Sequence, residues 1–275
     1  MKKFMKKFGL LLTVVAIATT SVLALTACNN SNQKDPDTLY VATNAEFPPF
    51  EYLENGKPTG FDIDFANALA KEMGYKNGAK ILDMKFEALV GSVKAGQADV
   101  AIAGLTIDPE KDASFSNPYF QAAQVVIYKG AEQTFNSEEV LIKFLNNKKV
   151  GVCLGYSGSK LLDGYIADKK VTGVTPVVSD NGALAIQNLK GGLVDVVIID
   201  QVPAQKLVAS AGDSTMKITI QTLGKEEYGV MCKKGNTAMV DKVNAAIEAL
   251  KTKKAEGSDL TIYETIYNKY FKIDK

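Results

Sequence analysis

The sequence predicts an α/β protein of two lobes, each built around a parallel sheet. Two observations carry this. Strands and helices alternate through residues 39–128 and again through residues 150–199, as parallel strands with crossover helices do. The two series also echo one another. Val93-Lys94-Ala95-Gly96-Gln97-Ala98-Asp99-Val100-Ala101-Ile102 matches Leu189-Lys190-Gly191-Gly192-Leu193-Val194-Asp195-Val196-Val197-Ile198, with Lys, Gly, Asp, Val and Ile identical at the same helix–turn–strand positions.

The first series opens with a short apolar strand at 39–43 and the loop Asn44-Ala45-Glu46-Phe47-Pro48-Pro49-Phe50. Phe61, Phe65, Leu69 and Met73 recur at helical spacing, predicting a helix over 61–73 that Gly74 ends. A second helix is expected over 86–94. Residues 100–103 are continuously apolar, as in a strand covered on both faces. Residues 125–128 read as a further strand, and the less apolar stretch 129–139 separates the series. The second series is strand 150–154, helix 160–167, strand 174–178, helix 183–190 and strand 194–199. In the shared register Ala103-Gly104 corresponds to Ile199-Asp200. Open α/β sheets bind ligands beyond their strands' carboxyl ends, so two facing lobes would bring both ends to one cleft.

Composition narrows the chemistry. The 275 residues are 46% hydrophobic and 23% charged, enough for a substantial core. All 32 basic residues are lysine; arginine, histidine and tryptophan are absent. Without histidine there is no Ser-His-Asp or Cys-His pair, no His-ligated zinc and no usual base near neutral pH. Without arginine, an anion site depends on lysine, hydroxyls and backbone N–H groups. A net charge of +1 gives no case for nucleic-acid binding. No catalytic residue, metal or cofactor is expected.

The N-terminus reads as an address. Lys2, Lys3, Lys6 and Lys7 precede an apolar run that continues in small residues to Ala27, a secretory pattern. A membrane-spanning helix is the other reading, which the threonines and serine weaken. Leu25-Thr26-Ala27-Cys28 resembles the bacterial lipoprotein box. That resemblance implies a signal peptide over 1–27 and acyl chains such as palmitate on Cys28, mooring the protein to a membrane outside the cytoplasm. Residues 28–37 read as a polar tether. Cys153 and Cys232 lie in apolar runs, and free buried thiols are favoured over a disulfide.

Asp108-Pro109-Glu110, after the turn Gly104-Leu105-Thr106, reads as a helix start with Asp108 as N-cap and Pro109 in the first helical position. Free N–H groups at such an end attract an anion, which Thr106 and Lys111 would assist. Gly155-Tyr156-Ser157-Gly158-Ser159 joins strand to helix in the other series, with further free N–H groups and hydroxyls. Asp200 ends an apolar run, an acid for a cation. Singly these are caps, turns and a solvated acid; at matching strand ends they describe a zwitterion site.

Several motifs in order resemble one family. Gly60-Phe61-Asp62-Ile63-Asp64, Phe47-Pro48-Pro49-Phe50, Gly104-Leu105-Thr106-Ile107-Asp108-Pro109-Glu110, Phe115-Ser116-Asn117-Pro118-Tyr119, Tyr228-Gly229-Val230 and Tyr267-Asn268-Lys269-Tyr270-Phe271 are similar to the polar amino-acid family of extracellular solute-binding proteins, which serve ABC importers. The resemblance implies the type II periplasmic binding protein fold, two Rossmann-like lobes joined by two hinge strands. Lobe 1 would comprise 38–127 and 229–275, lobe 2 131–224, and the hinges 128–130 and 225–228. It implies a monomer that closes on an amino acid and delivers it to a permease.

Carried over by position, Phe47 and Phe86 resemble the aromatic walls of the ligand site. Thr106, Ser157 and the backbone around Ala103, Gly104 and Gly158 resemble the α-carboxylate donors, and Asp200 the ammonium partner. Three positions depart from the family. Lys111 stands where relatives have an arginine fork, keeping the charge but losing two-bond geometry. Asn44 replaces an aspartate found in members for cationic ligands, which argues for a neutral, polar L-amino acid. Tyr156 replaces a small residue and either narrows the pocket from inside or lies on the surface. The alternatives are a small-carboxylate dehydratase of the same fold and a ligand-sensing surface lipoprotein.

Overall fold

Two mixed sheets carry the alternating pattern. The computed structural model describes residues 34–271, so Cys28, the signal segment and most of the tether lie outside the described residues. In chain order the elements are β1 (Leu39–Thr43), β2 (Glu46–Phe47), β3 (Glu51–Glu54), β4 (Lys57–Thr59), α1 (Phe61–Glu72), β5 (Ala79–Asp83), α2 (Ala88–Lys94), β6 (Val100–Ala101), β7 (Ala113–Phe115) and β8 (Phe120–Lys129). Then follow α3 (Glu138–Phe144), β9 (Lys149–Cys153), α4 (Ser157–Ala167), β10 (Thr175–Ser179), α5 (Gly182–Lys190), β11 (Val196–Asp200), α6 (Gln201–Ala211), β12 (Met216–Ile218), β13 (Lys225–Tyr228), β14 (Met231–Lys233), α7 (Thr237–Thr252) and α8 (Ile262–Phe271).

The first sheet has the order β5-β1-β6-β14-β7 and the second β10-β9-β11-β8-β12. The strands expected to be parallel are so: β1 with β5 and β6, and β9 with β10 and β11. The flanking strands are antiparallel: β8 with β11 and β12, and β14 with β6 and β7. The internal echo has a structural cause. Asp99 accepts the Tyr40 N–H at 2.9 Å, and Asp195 accepts the Lys149 N–H at 2.7 Å, each acid clamping the start of the neighbouring parallel strand. Gly96 and Gly192 turn the chain before them at φ of 74° and 75°.

Strand β8 serves both halves. Its residues 120–123 pair with β13, Phe120 opposite Tyr228, whereas residues 124–128 pair with β11, Tyr128 opposite Val196. Tyr128 therefore sits inside the second sheet. Residues 108–110, expected to start a helix, form a turn instead: Asp108 Oδ1 accepts the Glu110 N–H at 3.0 Å, and the chain then extends into β7. Cys153 and Cys232 are free and buried. Among the described residues no helix is long and apolar enough to cross a membrane.

One aromatic cluster underpins the first sheet. Phe50, Phe61, Phe65, Tyr119 and Tyr228 are fully buried, and Phe271 of α8 closes on Phe61 and Phe50 with ring centroids 5.0 and 5.3 Å apart. The loop that carries Phe47 is strapped to α1. The Phe61 and Asp62 N–H groups, without partners inside the helix, donate to Pro49 O at 3.0 Å and Phe50 O at 2.8 Å. Gly60 makes this approach possible: at φ 126°, a Cβ there would lie 2.2 Å from the Phe50 carbonyl oxygen.

Candidate functional site

The segments after β1, β5, β6 and β9 and the carboxyl end of β11 converge on a cavity of about 590 Å³. Phe47, Phe86 and Tyr156 form its aromatic side. Tyr156 meets Phe47 edge-on at 5.5 Å and leans on Phe86 at 4.8 Å. It points inward, 6% exposed, and its hydroxyl has no hydrogen-bond partner. A buried phenol is normally paired, so this one is available to a ligand. Lys111, half-buried, holds its ammonium 5.7 Å from the Phe86 ring centre, and burial lowers its pKa. Helix α4 begins at the same wall, where Ser157 presents a hydroxyl at the positive end of the helix.

The acidic side is assembled from distant segments. Asp200, 3% exposed at the end of β11, accepts the Tyr228 hydroxyl at 2.5 Å. Beside it lies Glu226 on β13. One Glu226 oxygen accepts from the Gln124 amide at 2.5 Å, and the other from the Thr106 hydroxyl. Gln124 also donates to Ser157 Oγ at 3.1 Å. A continuous chain, Thr106–Glu226–Gln124–Ser157, thus runs from the first sheet's loop through both connecting strands to α4. Burial, and then the charge of Glu226, push the Asp200 pKa up to about 7 against the Tyr228 and Gln124 hydrogen bonds.

A second pair lies deeper. Glu51, which also lines the cavity, is buried against Asp62. Burial, and then the neighbouring Asp62 carboxylate, raise the Glu51 pKa well above its usual value. Asp62 accepts the Gly104 N–H and the Tyr119 hydroxyl, both at 2.8 Å. Burial lifts it to about 6 despite these bonds.

These shifts fix a sign for stability against pH. Asp62 and Asp200 hold protons in the folded chain at pH values where the unfolded carboxyls, near 3.8, have lost them. Their contribution is full below that value and is lost as pH rises through about 6 and 7. Asp62 alone accounts for about 3 kcal/mol. Thermal melts of ligand-free protein should give a lower Tm at pH 8 than at pH 5; an equal or higher Tm at pH 8 would contradict the burial described.

Of the residues expected at the site, Phe47, Phe86, Ala103, Gly104, Thr106 and Lys111 line the cavity from the first half, and Tyr156, Ser157 and Asp200 from the second. Asn44 and Gly158 do not. The Asn44 amide donates to Met84 O at 3.0 Å and is 4% exposed, tying β1 to the loop after β5. Gly158 packs on Gln124, whose Oε1 would lie 2.8 Å from a Cβ there. Glu51, Gln124, Lys160 and Glu226 were not anticipated. Gln124 offered a signal, a polar residue inside the apolar run of β8; Glu226 lies in an acidic stretch that reads as solvated. Lys160 joins the cavity rim by pairing across it with Asp108 at 3.0 Å and Glu110 at 2.6 Å.

Residues 39–273 match the bacterial extracellular solute-binding proteins, family 3. The chain is 31% identical over 271 residues to a "Probable histidine-binding protein" of Neisseria gonorrhoeae, covering 94% of each. It is 32% identical over 222 residues to the L-cystine-binding protein TcyJ of Escherichia coli (strain K12), 79% of each. Among solved structures, an ancestral arginine-binding protein bound to arginine superposes with a TM-score of 0.72 at 36% identity, covering 86% of this chain and 99% of that one.

Proposed function

We propose, given that the chain belongs to the bacterial extracellular solute-binding proteins of family 3, that it captures a neutral, polar L-amino acid in this cavity and passes it to the permease of an ABC transporter. The observation that carries the reading is the buried Asp200 beside Glu226, two cavity acids whose hydrogen-bond partners among the described residues are all neutral, so that neither has a cation partner. An α-ammonium on Asp200 supplies it. Lys111 and the amino end of α4 face the ligand's carboxyl end. The side chain lies among Phe47, Phe86 and Tyr156, beside Glu51, whose carboxyl pKa is raised well above the usual value by burial, and the Tyr156 hydroxyl is free to bond it. Asn44 no longer bears on ligand charge, since its amide is used inside the fold.

Residues 120–123 and 225–228, paired between the two sheets, would be the segments about which the lobes open. A lipid on Cys28 would hold the protein at the membrane. Calorimetry of protein freed of ligand by unfolding and refolding, titrated with the twenty L-amino acids, should give saturable 1:1 binding of a neutral polar member. Absence of heat from every member, with the protein folded, would overturn the reading. Recovery of the ligand unchanged separates a receptor from a dehydratase.

A further inference from the structure

The cavity is longer than a free amino acid. Ser157, Leu161, Gly164, Tyr165 and Asp168 all line it, so it follows one face of α4 from its first residue to its C-cap, eleven residue steps or about 16 Å at the helical rise. A residue of extended chain spans only about 3.5 Å. The opposite bank is residues 223–226, held to α4 by the Tyr165 hydroxyl on Leu223 O at 3.1 Å.

Gly164 marks this groove. It lies in the middle of α4, exposed, at an ordinary helical position, and a Cβ built there meets nothing within 4 Å. No packing requires glycine, which weakens a helix interior. What its bare Cα does is keep the groove open. The carboxylate end of the amino-acid site is also incompletely closed: the Thr106 hydroxyl is engaged by Glu226, and Lys111 is a point charge without a fork. On the opposite bank, between Glu226 and the Leu223 that Tyr165 holds, Lys225 lines the groove and makes no salt bridge among the described residues.

We infer that the preferred ligand is an α-amino acid extended through its carboxyl group as a short peptide, its amino end on Asp200, its second residue in the groove past Gly164 and its terminal carboxylate toward Lys225. This rests on the assignment of Asp200 as the ammonium partner. The test titrates refolded wild-type protein and Gly164→Leu with each L-amino acid and with the matching X-Ala dipeptides. For the best X, the dipeptide should bind wild type about tenfold or more tightly than the free amino acid. Gly164→Leu, which fills the groove while improving helix propensity, should remove that advantage and leave free amino-acid affinity and Tm no lower. Amino acids binding while dipeptides do not, or dipeptide affinity unchanged in Gly164→Leu, would overturn the peptide inference alone. Silence from both ligand sets would overturn the amino-acid reading with it.

Discussion

Asp200→Asn abolishes measurable ligand binding while the protein stays folded. The amide keeps an acceptor for the Tyr228 hydroxyl and nearly the same volume, so the substitution removes charge and little else. Losing one member of a buried, hydrogen-bonded charge pair costs about 2–5 kcal/mol, more than about thirtyfold in Kd. Stability moves the other way. The carboxylate is buried beside Glu226, so neutralising it relieves repulsion, and the ligand-free variant should melt above wild type at pH 8. Calorimetry and thermal melts on the same preparation check both halves. Wild-type affinity in Asp200→Asn would exclude Asp200 as the ammonium partner.

Gly60→Ala destabilises the protein by about 3–5 kcal/mol. Two costs combine: a residue with Cβ is strained at φ 126°, and the methyl would stand 2.2 Å from Phe50 O and 2.9 Å from Pro49 O. Both neighbours are main-chain atoms and cannot turn aside. Relief requires lifting the Phe47–Phe50 loop off α1, which breaks the hydrogen bonds of Phe61 and Asp62. Because Phe47 belongs to the aromatic side of the cavity, the effect reaches the site as well. Urea unfolding should show the loss, with Tm about 10 °C lower or more. A shift under 1 kcal/mol would mean the loop adapts in a way the geometry does not suggest.

The fold was largely legible because its signals are local. Apolar runs at 150–154 and 194–199 became β9 and β11, and the Lys-Gly-Asp echo became the same strand clamp in both halves. Asp200 was found by the same means, as an acid ending an apolar strand. What the sequence could not reveal is which polar groups are already spoken for. Thr106 reads as a ligand donor until its partner, Glu226, arrives from 120 residues away. Asn44 sits at a strand end beside the site, yet its side chain turns back to Met84. The turn at Asp108 was misread because Asp-Pro-Glu suits a helix start equally well; pairing of β7 with β14 decides against it.

The route of the chain also sets an order of assembly. Every strand of the second sheet lies between residues 120 and 228, so its residues leave the ribosome before β14, α7 and α8 exist. The first sheet begins earlier but ends later: β6 waits for Met231 and Cys232 along its open side, and Phe50 and Phe61 wait for Phe271. Until synthesis nears its end, the earliest-made half carries an unpaired strand edge and a bare aromatic face, the features most prone to mispairing. The half made in the middle can close first and serve as the fixed body against which the two ends of the chain are joined.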